Sequence, residues 1–103
     1  MDYSGLTMIE VRQTARFSAW LNRLKDANAV ARIAARIRRM EMGNPGDSKS
    51  VGRNVREMRI DHGPGYRIYY VQRGAQIVIL LCGGDKRTQR QDIEQAQKLA
   101  ETV

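Results

Sequence analysis

The sequence predicts one α+β domain in the order β-α-α-β-β-β-α, an antiparallel sheet with an N-terminal helical hairpin on one face and a C-terminal helix. Three observations predict it. Apolar residues recur at helical spacing between residues 14 and 43 and again after residue 88. Between residues 55 and 82 the period shortens to that of a strand, with turn residues between the runs. A chain of 103 residues holds one core and not two, and that core is large enough to stand without disulfides or metal.

Met8-Ile9-Glu10-Val11 reads as a short first strand after a frayed extension over residues 1–7. Thr14 is an N-cap, because Phe17, Trp20, Leu21 and Leu24 follow it along one helical face. Lys25-Asp26 breaks that pattern, and Asp26 or Asn28 caps a second helix whose stripe is Val30, Ile33, Ala34, Ile37 and Met40, ended by Gly43. So short a connection makes the two an αα-hairpin. Arg32, Arg36 and Arg39 lie away from the stripe and read as a mainly solvated face, with a second contact to nucleic acid or an acidic partner as the alternative. Residues 44–50 read as a loop.

Val55–Ile60 and Tyr66–Val71 alternate around the turn Gly63-Pro64-Gly65, and Arg73-Gly74 turns the chain into a third strand from Gln76 to Cys82. That strand is apolar on both faces and should be central, stopped by Gly83-Gly84. A last helix begins at Thr88, where Thr88 to Gln91 has the form of a capping box. Its stripe of Ile93, Ala96 and Ala100, with Leu99 beside it, is thin, so the helix should dock weakly. The helices are expected on one sheet face, leaving the other open.

Lys and Arg number 18 against 11 Asp and Glu, a net charge of +7 that attracts polyanions and makes nucleic acid or an acidic protein the first partner class. The 42% hydrophobic content excludes a wholly disordered chain. The lone Cys82 cannot form an internal disulfide and reads as a small core residue. The N-terminus has neither the basic nor the apolar region of a signal peptide, and no run reaches membrane-spanning length, so a cytoplasmic location is expected. One His and one Cys assemble no zinc site, so no metal is expected. Gly83 to Thr88 lacks the spacing of a phosphate-binding loop, and no cofactor is expected.

Strand alternation locates the charge. If Met58, Ile60 and Ile68 face the helical hairpin, then Glu57, Arg59, Arg67 and Tyr69 share the opposite surface. Lys86, Arg87 and Arg90 follow the third strand. Arginine forks and a lysine bind phosphate oxygens and stabilise a pentavalent phosphorane, and an exposed Tyr69 would stack on an unpaired base. Equally, Glu57 is placed to pair with Arg59 or Arg67 in a solvated cross-strand ladder. His62 is a candidate general acid or base, and it is also at home in the turn before Gly63.

The chain resembles the RelE/ParE superfamily of toxins of type II toxin–antitoxin systems, and within it the HigB-like addiction module killer branch. The resemblance rests on Phe17-x-x-Trp20-Leu21-x-x-Leu24-Lys25-Asp26, on Val55 to Ile60, on Gly63 to Tyr70, and on Gly84-Asp85-Lys86-x-Thr88-Gln89-x-x-Asp92-Ile93-x-x-Ala96. Together these run from about Met8 to Ala100. Residues before Met8 fall outside the pattern, so translation from Met8 is compatible with it.

The resemblance implies a toxin neutralised by an antitoxin from the adjacent reading frame, a helix-turn-helix protein with which it forms a hetero-oligomer. It implies a ribosome-dependent endoribonuclease that cuts mRNA with the RNA's own 2′-hydroxyl as nucleophile. Arg67 stands where such members contact the scissile phosphate, Arg59 matches a basic residue on the preceding strand, and Lys86 matches one after the last strand. Arg56, Arg87 and Arg90 become RNA contacts and Tyr69 a base stack. Asp92-Ile93 replaces a tyrosine or histidine common near the leaving group, and Glu57 stands where some members are basic, so the acid and base stay unassigned. The ParE branch shares the fold and poisons DNA gyrase, so the alternative is a non-enzymatic gyrase poison or basic binding module.

Overall fold

The computed structural model describes residues 8–103, so the expected frayed extension over residues 1–7 lies outside the described residues. Its elements are β1 (Glu10–Gln13), α1 (Ala15–Arg23), α2 (Ala27–Glu41), β2 (Ser48–Ser50), β3 (Val55–Ile60), β4 (Tyr66–Arg73), β5 (Ile77–Asp85), a 3₁₀ turn (Lys86–Thr88) and α3 (Gln89–Ala100). The strands form one sheet in the order β1-β5-β4-β3-β2. This is the α+β architecture expected, with one strand more and one pairing of the other sense.

Both departures have physical reasons. Two helices intervene between β1 and β2, whereas β2, β3, β4 and β5 follow one another through short turns. The strands β2 to β5 are therefore antiparallel neighbours, while β1 reaches the far edge running parallel to β5. The additional strand β2 falls where a loop was expected. It is a three-residue edge strand, Ser-Lys-Ser, held by backbone pairing to Arg56–Met58 and carrying no apolar alternation to announce it.

The helix starts are as expected. Thr14 Oγ1 accepts the Phe17 N–H at 3.1 Å and donates to the Leu81 carbonyl at 2.7 Å, so the cap also ties α1 to β5. Asp26 Oδ1 accepts the N–H groups of Asn28 and Ala29 at the start of α2. Phe17, Ile33 and Met40 from the hairpin meet Met58, Ile60, Ile68, Tyr70, Val78 and Leu80 from the sheet in one core. Burying that apolar face is what fixes the register of the alternating strands.

The opposite face is not open. It carries a second core of Val55, Tyr69, Val71, Leu81, Cys82, Ala96 and Ala100, because α3 packs there and not beside α1 and α2. Ala96 and Ala100 are the small residues that let α3 lie close to the sheet. Gln97 donates to the Val51 carbonyl at 2.9 Å and Arg73 to the Ala100 carbonyl at 2.8 Å, so this helix is seated at its middle and its end. The thin stripe read as weak docking is thus a close-packed contact supported by hydrogen bonds.

The third apolar strand, β5, is interior between β1 and β4, but β4 holds the middle position of the sheet. Gly83 and Gly84 do not stop β5. They continue it to Asp85 because Trp20 packs over Gly83 on one face and the Asp92 carboxylate sits over Gly84 on the other, leaving no room for a Cβ at either. The capping box does not form either. The first turn tightens to 3₁₀, Asp85 Oδ1 accepts the Arg87 N–H at 2.8 Å, and the Thr88 hydroxyl donates to Asp92 at 2.6 Å. Cys82 is a buried core residue, its thiol pushed up to about 12 chiefly by burial and then by Asp92. Among the described residues no helix is long and apolar enough to cross a membrane.

Candidate nucleic-acid interface

A row of side chains crosses the sheet on its α3 face, near the start of that helix. Arg59 lies opposite Arg67 in the β3–β4 register, and Arg67 lies opposite Gly84 on β5. On the other side the Arg59 N–H donates to the Asp47 carbonyl at 2.9 Å, extending the β2–β3 ladder by one residue. The row therefore reads Asp47, Arg59, Arg67, Gly84. Strand alternation placed both arginines on this face, and the structure does the same.

Two arginines directly opposed across strands repel each other, so the fold must supply reasons for keeping them. Asp47 is one, accepting from Arg59 Nε at 3.1 Å and from Nη2 at 3.4 Å. Glu57 is the other, with Oε1 lying 3.7 Å from Arg67 Nε. Beside them Lys86 follows β5 directly and lines the same open cleft of about 430 Å³, with Asp61 and the turn Gly63–Gly65. Gly65 has φ +80°, a conformation favouring glycine, and a Cβ there would stand 3.6 Å from Lys86 Cβ and 3.7 Å from Arg67 Nη1. The bare backbone of the turn is the cleft's wall between the two cations.

Glu57 is 0% exposed and does not join a solvated ladder. Its Oε2 accepts from the Tyr69 hydroxyl at 3.0 Å and from Gln89 Nε2 at 2.8 Å, linking β3, β4 and α3. Among the described residues its Oε1 and Arg67 Nε have no hydrogen-bond partner, and the Lys49 ammonium stands 3.9 Å from Oε1. A buried carboxylate of this kind is tolerable only with charge close by, and the Arg67 guanidinium supplies it from the cleft side.

Tyr69 corrects an expectation. It is fully buried under α3, so it offers no ring face to a base. Burial first, and then the Glu57 carboxylate it bonds to, hold its phenol far above the usual range. Alternation identified its face, but the position of α3 removed its exposure.

The remaining candidates are dispersed. His62 Nε2 lies 3.0 Å from Asp26 Oδ2 at the start of α2, and the ring does not line the cleft. That contact, with the Ala29 N–H, holds the Asp26 carboxyl below its ordinary value. Arg56 is an odd number of residues from Arg59 and emerges on the opposite sheet face, 3.5 Å from the Ser48 carbonyl. Arg87 is exposed and paired with Asp85 at 3.0 Å, which holds the Asp85 carboxyl low. Arg90 is exposed in the first turn of α3.

Two residues of the site were not singled out by sequence reasoning. Asp47 was absorbed into the loop. Arg36, read as solvated, is half-buried and donates to the carbonyls of Arg59, Pro45 and Asp47 at 2.5, 2.9 and 3.3 Å, fixing the cleft's edge from behind. Helical periodicity carries no signal for this, because the acceptors lie in a segment without periodicity.

The profile of the phage-derived Gp49-like proteins (DUF891) matches residues 19–101, from within α1 to the end of α3. The chain belongs to the Gp49-like family. A Haemophilus influenzae (strain ATCC 51907 / DSM 11121 / KW20 / Rd) protein described as an uncharacterized protein is 50% identical to this Gp49-like chain over 95 residues, 92% of this chain and 96% of that one. The whole row Asp47, Arg59, Arg67, Gly84 and Lys86 lies inside the segment that matches the Gp49-like profile.

Proposed function

We propose that this Gp49-like protein is the toxin of a toxin–antitoxin pair, of the RelE/ParE type and HigB-like branch, and that it cleaves mRNA on the ribosome in the cytoplasm. The observation that carries the reading is the Arg59–Arg67 cross-strand pair with Lys86 at one open cleft. Three cations converge there on a space with a glycine wall, an arrangement suited to a phosphate and to the extra charge of its transition state. The Gp49-like membership supports the toxin reading, and an antitoxin encoded beside the gene is the partner it implies.

In this reading Arg67, held from behind by Glu57, binds the scissile phosphate through its outer nitrogens. Arg59 exchanges part of its contact with Asp47 for a phosphate oxygen, and Lys86 stabilises the developing phosphorane. The ribose 2′-oxygen forms a bond to phosphorus as the bond to the 5′-oxygen breaks. One proton leaves the 2′-hydroxyl and one reaches the departing oxygen, giving a 2′,3′-cyclic phosphate and a 5′-hydroxyl. Arg87 and Arg90, both exposed around the start of α3, serve as contacts to ribosomal RNA, and Arg56 as one on the other face.

The test is brief induction of the wild-type chain and of Arg59→Ala, with transcript integrity and the DNA-damage response followed together. Arg59 is half-exposed, so its removal leaves the cores intact. Discrete mRNA cuts that disappear in the variant support the reading. Intact transcripts with a damage response would point to a gyrase poison and overturn it.

A further inference from the structure

The cleft holds a carboxylate in contact with one of its cations, an arrangement a plain phosphate site does not need. Asp47 is fixed there twice over. Its carbonyl accepts from the Arg59 N–H at 2.9 Å and from Arg36 Nη2 at 3.3 Å, while its side chain bridges two nitrogens of Arg59. Arg36 also holds the Pro45 carbonyl at 2.9 Å, so the backbone that carries Asp47 is braced against α2. The carboxylate is half-exposed and lines the cleft beside Arg59.

A carboxylate only accepts hydrogen bonds, at about four lone-pair positions, and Arg59 uses two of them. Any phosphate drawn to Arg59 comes close to this negative group and is repelled by it. The repulsion is compensated only if the same ligand brings a hydroxyl donor next to its phosphate. RNA does so through the ribose 2′-hydroxyl, and DNA has no donor there. Attraction for one ligand and repulsion for its analogue then come from a single side chain.

We propose that Asp47 is the specificity-determining residue of the cleft, accepting a hydrogen bond from the ribose 2′-hydroxyl beside the phosphate held by Arg59 and Arg67, and so selecting RNA over DNA. This rests on reading the cleft as an RNA site. Asp61 lines the same cleft, but no contact to either arginine ties its carboxylate to the phosphate position.

The test measures binding of the full chain to short single strands of one sequence made as RNA, as 2′-fluoro-RNA and as DNA. The 2′-fluoro strand lacks the donor but keeps an RNA-like sugar, which separates the hydrogen bond from strand shape. The wild-type chain is expected to bind RNA roughly tenfold more tightly than the other two, the size of one hydrogen bond to a charged group. Asp47→Ala is expected to bind all three alike, with DNA bound more tightly than by the wild-type chain. Asp47→Asn keeps an acceptor without the charge, so it should bind all three more tightly and still prefer RNA. A wild-type preference that survives in Asp47→Ala overturns the role of Asp47 while leaving the RNA site standing. A wild-type chain that binds all three equally, or binds none of them, also overturns that role, while the cleavage of transcripts on the ribosome tests the RNA reading separately.

Discussion

Replacing Arg67 with Met while Glu57 becomes Gln should reveal how the cleft's central arginine is held. Arg67→Met keeps the stem and removes the guanidinium, leaving a fully buried carboxylate with its nearest countercharge 3.9 Å away at Lys49. Breaking a buried pair from one side costs about 3–5 kcal/mol. Here the two charges are 3.7 Å apart without a hydrogen bond, and Glu57 keeps the bonds from Tyr69 and Gln89. The expected loss is therefore at or below the low end, about 2–3 kcal/mol.

Glu57→Gln retains an oxygen for Tyr69 and Gln89 and should cost about 1 kcal/mol. In the double variant no unpaired charge is left behind, so its loss should fall short of the sum by about 1–2 kcal/mol. Urea unfolding at neutral pH, followed by the fluorescence of the single Trp20, measures all four proteins, and the midpoints are comparable if the slopes agree. Losses that add within about 0.5 kcal/mol would show that Glu57 and Arg67 do not hold each other, and the account of Arg67's orientation would fail.

Three further outcomes follow from the same structure. Arg36→Ala removes three carbonyl contacts at the cleft's edge and should cost about 2–3 kcal/mol in urea unfolding, where a solvated arginine would cost almost nothing. Gly83→Ala forces a methyl against the Trp20 ring and should lose about 1–3 kcal/mol while shifting the tryptophan emission, whereas Gly74→Ala, with open space around it, should leave that emission unchanged. The Asp26 carboxyl is held below its ordinary 3.8 by His62 and the helix start, so its contribution is present above that value and lost as pH falls through the lower folded one. Acid unfolding between neutral pH and about pH 2 should accordingly show a smaller loss near and below pH 4 in Asp26→Ala than in the wild-type chain.

Local periodicity made the helix starts at Thr14 and Asp26, the turn at Gly63-Pro64-Gly65 and the facing of Arg59 and Arg67 legible in the sequence, because each depends on neighbours within a few residues. What was not legible depends on contacts between distant segments. The side on which α3 docks decides whether Tyr69 is a surface or a core residue, and alternation cannot see α3. The edge strand β2 is held by the backbone of β3 and not by its own side chains, so Asp47 gave no sign of standing opposite Arg59. Gly83 and Gly84 read as a stop because glycine disfavours strands, yet here they admit Trp20 and Asp92. In each case tertiary contact overrode a correct local preference.

The chemistry proposed for the cleft leaves a signature on its product. Transcripts isolated after brief induction can be mapped by ligation that accepts only 5′-hydroxyl ends, in cells carrying the wild-type chain or Arg59→Ala. The account predicts discrete internal 5′-hydroxyl ends, paired with 2′,3′-cyclic phosphates, in the wild-type sample and their loss in the variant. Growth arrest with intact transcripts, or internal cuts that bear 5′-phosphates, would contradict it.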